Sequence, residues 1–162
     1  MNASSFPLAT QAEVPSTHWD GDLATDIFAP CGTPWLAVFD GYAEPRDYAL
    51  GGYTVMLTAP DGTQAYYAHG ESTRASGQVS AGDVIGYVSN SGNAIESGCH
   101  LHFAVGQINY NGGGTIAPAI WLSGTTPEPG PEPGPQPGPI SPVAASGAVA
   151  VILLIALVFL ID

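Results

Sequence analysis

Four histidines occur in this chain, and two of them stand one residue apart, in His100-Leu101-His102. Successive side chains of a β-strand point to opposite faces, so residues two apart share a face. From His100 to Val105 the sequence alternates. His100, His102 and Ala104 fall on one face, and Leu101, Phe103 and Val105 on the other. The apolar face is fit to enter a core. The other presents two imidazoles, and small Ala104 and Gly106 leave room for a metal ion, a water or a substrate. Imidazole is the commonest protein metal ligand and the commonest general base near neutral pH. The remaining histidines are His18, which opens His18-Trp19-Asp20-Gly21-Asp22, and His69, which ends Tyr66-Tyr67-Ala68-His69. A hydrolytic zinc site takes three protein ligands plus a water whose pKa falls to about 7. Four histidines and the acids near them are enough to build one.

Such residues need strands to hold them, and residues 1–125 supply the pattern. Gly, Pro, Asn and Asp interrupt this stretch at short intervals, and the segments between are rich in Val, Tyr, Ile and Phe. That is the signature of short strands joined by turns. The sequence predicts a strand over Thr33–Tyr42 that ends at Asp40-Gly41. It predicts a hairpin of Tyr53–Thr58 and Thr63–His69 around Asp61-Gly62, a strong turn dipeptide. A second pair is predicted from Gln78–Ser80 and Asp83–Val88 around Ala81-Gly82. His100–Ile108 is the last long strand, and Ala117–Leu122 has helical or turn character. No stretch before Thr126 carries a long helical period, so the fold class is mostly β, an antiparallel sheet. Trp35, Phe39, Tyr53, Tyr66, Phe103 and Trp121 are its expected aromatic core, while Trp19 is a candidate border of the cleft.

Composition shifts divide the chain further. Residues 126–142 are almost entirely proline, glycine and acidic residues with a Pro-Glu-Pro-Gly repeat. Such a segment lacks the apolar area to fold and is expected to be an extended spacer reaching about 50 Å at about 3.1 Å per residue. Residues 143–161 carry no charge. As a helix, Val143–Leu160 spans about 27 Å, close to the hydrocarbon thickness of a bilayer. It is expected to be a transmembrane anchor, with a cleaved sorting tail as the alternative. No secretory signal is evident over Met1–Pro15, which is polar and lacks a basic start. The formal net charge is −12, with Arg46 and Arg74 as the only Lys or Arg residues. Nucleic acid is therefore excluded as a partner, because phosphate neutralisation needs a basic patch. Two cysteines, Cys31 and Cys99, lie outside any CxxC pair and read equally as buried thiols or as a disulfide.

Taken in order, the motifs resemble those of the M23 peptidases, the lysostaphin-type zinc endopeptidases that cut peptide cross-links in bacterial peptidoglycan. The likeness rests on His18, Asp26-Ile27-Phe28-Ala29-Pro30, Gly32-Thr33-Pro34, Tyr67-Ala68-His69 and Gly77-Gln78-Val79. It continues through Ala81-Gly82-Asp83-Val84-Ile85-Gly86-Tyr87-Val88, Asn90-Ser91-Gly92 and His100-Leu101-His102-Phe103, and closes on Ala117–Leu122. The resemblance implies zinc held by His18, Asp26 and His102, with His69 and His100 as the catalytic pair. One of the pair would serve as general base; the other would stabilise the oxyanion or protonate the leaving amine. His18 and Asp26 have seven residues between them where the family usually has three, so Asp22 is a rival ligand. Asp26 is preferred for the residues that follow it. Ala104 stands where members often carry an acid, at a position that is not a ligand. By the same resemblance, Cys31 and Cys99 should lie close together and form a disulfide.

The expected organisation is therefore an N-terminal extension (1–16), an M23-like peptidase domain (17–125), a linker (126–142) and a transmembrane helix (143–161). The expected activity is hydrolysis of peptidoglycan cross-links through a metal-activated water, by an enzyme anchored in the membrane and facing the cell wall. The alternatives are an inactive M23-like module that activates other wall hydrolases, and a phage-encoded lytic enzyme of the same chemistry.

Overall fold

The alternation at residues 100–105 continues through the neighbouring strands and gives the sheet two unlike faces. The computed structural model describes residues 6–10 and 23–122. Within them run β1 (Ala24–Phe28), β2 (Pro34–Leu36), β3 (Gly41–Tyr48), β4 (Gly52–Thr58), β5 (Gln64–Gly70), β6 (Gly77–Val79), β7 (Val84–Tyr87), β8 (His100–Gly106) and the short helix α1 (Pro118–Leu122). Six strands form a sheet in the order β1-β8-β5-β4-β3-β6, and β2 pairs with β7. Every pairing is antiparallel, as the predicted fold class requires.

One face of the sheet carries Ile27, Val55, Leu57, Tyr67, Leu101 and Phe103 into the main core, where they meet Trp35, Val38, Ile85 and Val88. All of these are fully buried. Burying each large side chain contributes roughly 1.5–3 kcal/mol. The opposite face holds a smaller cluster of Ala24, Met56, Tyr66, Ala68 and Ala104. Its small residues leave the space in which the histidines stand. The β2–β7 layer is locked to the sheet by Tyr67, whose hydroxyl donates to Leu36 O at 2.9 Å and accepts from Val38 N at 3.1 Å. Trp35 lies between Gly70 and Gly86, and a Cβ at either position would collide with the indole ring. Residues 6–10 join the same layer: Leu8 is buried in the main core and bridges to Trp35.

The Asp61-Gly62 hairpin forms as predicted. Gly62 takes φ 88 and the Asp61 side chain accepts from Thr63 N at 2.9 Å. Two other expectations are corrected. Residues 33–42 do not form one strand. β2 stops at Leu36, the chain bends through buried Ala37 and Val38, and Asp40-Gly41 leads into β3. That strand was hidden by Pro45, which sits beyond the reach of β6, since β6 pairs only with Gly41–Ala43. Proline is tolerated where a strand has an open side. Residues 78–88 do turn at Ala81-Gly82, but the strands on either side part company, β6 joining β3 and β7 joining β2. The turn is held instead to the preceding bend, through Ala81 N to Asp40 Oδ1 and Gly82 N to Ala37 O, both 2.8 Å. Tyr53 is not core: it is substantially exposed, with the Arg74 guanidinium over its ring.

Among the described residues no helix is long and apolar enough to cross a membrane. The linker and apolar segment read from residues 126–161 lie outside the described residues, as do His18, Trp19 and Asp22.

Candidate active site

Strand register alone assembles half of the site. Asp26 on β1 is directly opposite His102 on β8, and His102 is in turn opposite Ala68 on β5. Phe28 is opposite His100. Asp26, His100 and His102 thus project from one face of two paired strands into a groove of about 720 Å³. The Asp26 Oδ1 atom is 2.8 Å from His102 Nδ1, and its Oδ2 is 3.7 Å from His100 Nε2. Asp26 thus stands beside His102, while Asp22, the rival ligand, lies outside the described residues.

The hydrogen bonds fix which nitrogen of each imidazole is available. A backbone carbonyl can only accept, so a ring nitrogen bonded to one carries the proton. His69 donates from Nδ1 to Ser91 O at 2.9 Å, and His100 donates from Nδ1 to Gly98 O at 2.9 Å. In the neutral form each therefore keeps its lone pair on Nε2. His102 has an acceptor at each nitrogen: Nε2 is 3.3 Å from Gly112 O, and Nδ1 is 2.8 Å from Asp26 Oδ1. Where Nε2 carries the ring's single proton, the Nδ1 lone pair faces the Asp26 carboxylate. Two acceptors at this separation repel unless a proton or a metal ion lies between them.

This donor set fits zinc. Bonds of roughly 2.0–2.2 Å place two ligand atoms of one ion a little over 3 Å apart. Zinc-binding histidines characteristically donate their second nitrogen to a carbonyl, as His102 does to Gly112. Among the described residues no group of three His, Cys, Asp or Glu side chains closes around one metal position. The third ligand expected from the sequence is His18, which is not among them.

His69 reaches the site by a different route. Strand alternation puts it on the face of Tyr67, toward the main core. Its φ of 67, the only positive value at a non-glycine residue among the described residues, turns it out to the groove. There its ring centroid is 4.8 Å from that of His100 and 5.8 Å from that of His102. A left-handed backbone is uncommon at any residue but glycine, and it persists where surrounding contacts hold it. Here the holders are His69 N to Gly51 O at 2.8 Å and the Ser91 contact just described. Ser91 is itself fixed on both sides, its hydroxyl donating to Gly70 O at 2.8 Å and accepting from Tyr53 N at 3.0 Å.

Burial pushes the His69 pKa down to about 4, with the bond to Ser91 opposing that shift and the neighbouring His100 reinforcing it. The unfolded chain titrates near 6.5. Between these values the unfolded state binds the extra proton, so stability is full above pH 6.5 and falls as pH drops toward 4. Denaturant midpoints of the metal-free protein should decline across this window, and His69→Asn, which tolerates positive φ, should flatten the decline. An unchanged slope in the variant would remove His69 as the cause.

The opposite wall is the loop after β8. Asn109 Oδ1 accepts from Asn111 N at 2.9 Å and Gly113 N at 3.1 Å. Gly112 takes φ 83, and a Cβ there would strike the Tyr66 ring. These constraints set the Gly112 carbonyl against His102. Ser91, Asn109 and Gly112 act through the histidines and were not singled out individually from the sequence. The turn-forming run Asn109-Tyr110-Asn111-Gly112 was the available signal. Behind the site, Cys31 and Cys99 form the expected disulfide, with Cα atoms 5.4 Å apart. It joins the end of the Asp26 segment to the residue before His100.

This arrangement of an antiparallel sheet, a paired carboxylate and imidazole and two flanking histidines has a family. The chain belongs to peptidase family M23, whose model matches residues 21–117. Its relatives include the proteins named DD-carboxypeptidase/endopeptidase Mpg from Neisseria meningitidis serogroup B and Neisseria gonorrhoeae, 36% identical over 88 residues. That match covers 52% of this chain and 20% of the relative's length, so the chain spans about a fifth of those proteins. The catalytic domain of lysostaphin from Staphylococcus simulans shares the fold, with a TM-score of 0.55 at 23% identity over 69% of this chain and 92% of that one. A variant of the catalytic domain of the prophage-encoded M23 protein EnpA from Enterococcus faecalis gives 0.51 at 28% identity, over 68% and 91%.

Proposed function

We propose that this chain is a zinc-dependent endopeptidase that hydrolyses peptide cross-links of bacterial peptidoglycan. The observation that carries the reading is His102 Nδ1 set against the Asp26 carboxylate at 2.8 Å, two ligand atoms that can share one metal ion once Nδ1 gives up its proton. Asp26 and His102 would hold the metal, with His18 as the third ligand. A zinc ion supplies Lewis acidity, polarising a carbonyl and activating water near neutral pH.

The chain's own residues supply the proton transfers. His69 and His100 present unprotonated Nε2 atoms to the groove, from rings 4.8 Å apart between centroids. One accepts the proton of the attacking water, and an imidazolium so formed can return it to the leaving amine. The other, when its Nε2 carries a proton, donates to the developing oxyanion. Tyr66 and Met56, both buried, give the groove an apolar wall. The peptidoglycan substrate is inferred from family membership and the named relatives. The Pro/Gly segment and the apolar run after it support a tether holding the domain off a membrane, facing the wall.

Incubating the zinc-loaded full chain with purified cell walls should release new amino termini, and chelation should abolish the release. Intact muropeptides after exposure to metal-loaded protein would overturn the reading.

A further inference from the structure

His69 stands in the groove against the alternation of its own strand, and one residue grips it at two points. Ser91 O accepts from the ring at Nδ1, at 2.9 Å. The Ser91 hydroxyl donates to the carbonyl of Gly70, the next residue of the chain, at 2.8 Å. Ring and backbone are thus both referred to Ser91, which fixes the direction in which Nε2 points. The same hydroxyl accepts from Tyr53 N at 3.0 Å, so its donor and acceptor capacity are both used on backbone.

The frame around this hydroxyl is closely fitted. His69 N donates to Gly51 O at 2.8 Å, and Asn93 N donates to Leu50 O at 2.9 Å. A Cβ at Gly52 would strike the Ser91 hydroxyl and Gly92 N, and one at Gly92 would strike Leu50 O and Gly52 N. The start of β4, the end of β5 and the turn at residues 91–93 therefore meet with the Ser91 hydroxyl between them. His100 is held differently, by Gly98 O two residues back in its own segment. His69 lines the groove, and Ser91 is not among the described residues that do.

We propose that Ser91 is a positioning residue for the reaction. Its hydroxyl ties the turn to Gly70 and Tyr53, and its carbonyl then keeps the His69 proton on Nδ1 and Nε2 open to the groove. A reacting side chain works only in a pose that its supporting hydrogen bonds lock. This deepens the peptidase reading and rests on it.

The test is long-range proton–nitrogen NMR of the metal-free full chain with isotope-labelled histidine, near neutral pH, which reports the nitrogen that carries each ring's proton. The parent should show His69 protonated on Nδ1 alone. Ser91→Ala should divide His69 between its neutral tautomers and leave His100 unchanged. Ser91→Thr, which keeps a hydroxyl, should restore the parent pattern. In the zinc-loaded full chain, Ser91→Ala should lower kcat on soluble muropeptides about tenfold to a hundredfold, with KM within about twofold and zinc content unchanged, as a misplaced reacting group predicts. An unmoved His69 signal in Ser91→Ala, an equal change at His100, failure of Ser91→Thr to restore His69, or a loss confined to KM would each overturn the proposal. Failure of the peptidase reading shows separately, as absence of cleavage by the zinc-loaded parent while the tautomer pattern stands.

Discussion

His102→Ala is expected to strip the protein of zinc, whereas His69→Ala and His100→Ala are expected to keep the metal and lose turnover. The division follows from the hydrogen bonds. His102 commits Nε2 to Gly112 O and aims Nδ1 at Asp26. His69 and His100 commit Nδ1 to Ser91 O and Gly98 O and keep Nε2 for the substrate side. Loss of a positioned acid or base typically lowers turnover by about 10²–10⁴. Loss of His102 removes a ligand outright and should weaken zinc by at least about a hundredfold, the upper end of what outer-shell partners alone contribute. Metal content by elemental analysis, set beside turnover on cell walls, separates the two classes. Equal zinc loss in all three variants would refute the assignment.

The second large effect is expected from the disulfide. Cys31 and Cys99 are separated by 68 residues, so the bond closes a loop that holds most of the sheet. In the chain-entropy account a loop of this size stabilises by roughly 4 kcal/mol. The double variant Cys31→Ser/Cys99→Ser should lose about that much in denaturant unfolding. It should also weaken metal binding, because the bond anchors the ends of both strands that carry Asp26 and His102. A variant within about 1 kcal/mol of the parent would show that the strand pairing holds these ends unaided.

The sequence reading reached the site by two kinds of evidence. Period-two alternation placed His100 and His102 together on β8, because β8 is a regular strand with one buried face. Motif order, through the family resemblance, brought in His69, Asp26 and the disulfide. Alternation alone would have misplaced His69, since it sends that residue into the core beside Tyr67, and only the left-handed backbone reverses this. The missed strand β3 and the misread partner of β7 have a related cause. Pro45 and the buried bend at Ala37-Val38 carry no alternating signal, and strand partners are set by contacts distant in sequence. The carbonyls of Ser91, Gly98 and Gly112 fix the tautomers, yet a carbonyl belongs to every residue and leaves no mark in composition.

The backbone at His69 also says something about descent. Glycine would take the φ there freely, at the loss of the ring's bond to Ser91 O. Histidine remains a poor choice for folding at that position and a sound one only while its ring has work to do. A gene copy released from catalysis would be free to take glycine at this site. In a set of duplicated genes, glycine at position 69 is the expected mark of a copy whose groove no longer works on a substrate, and sequencing such copies checks it.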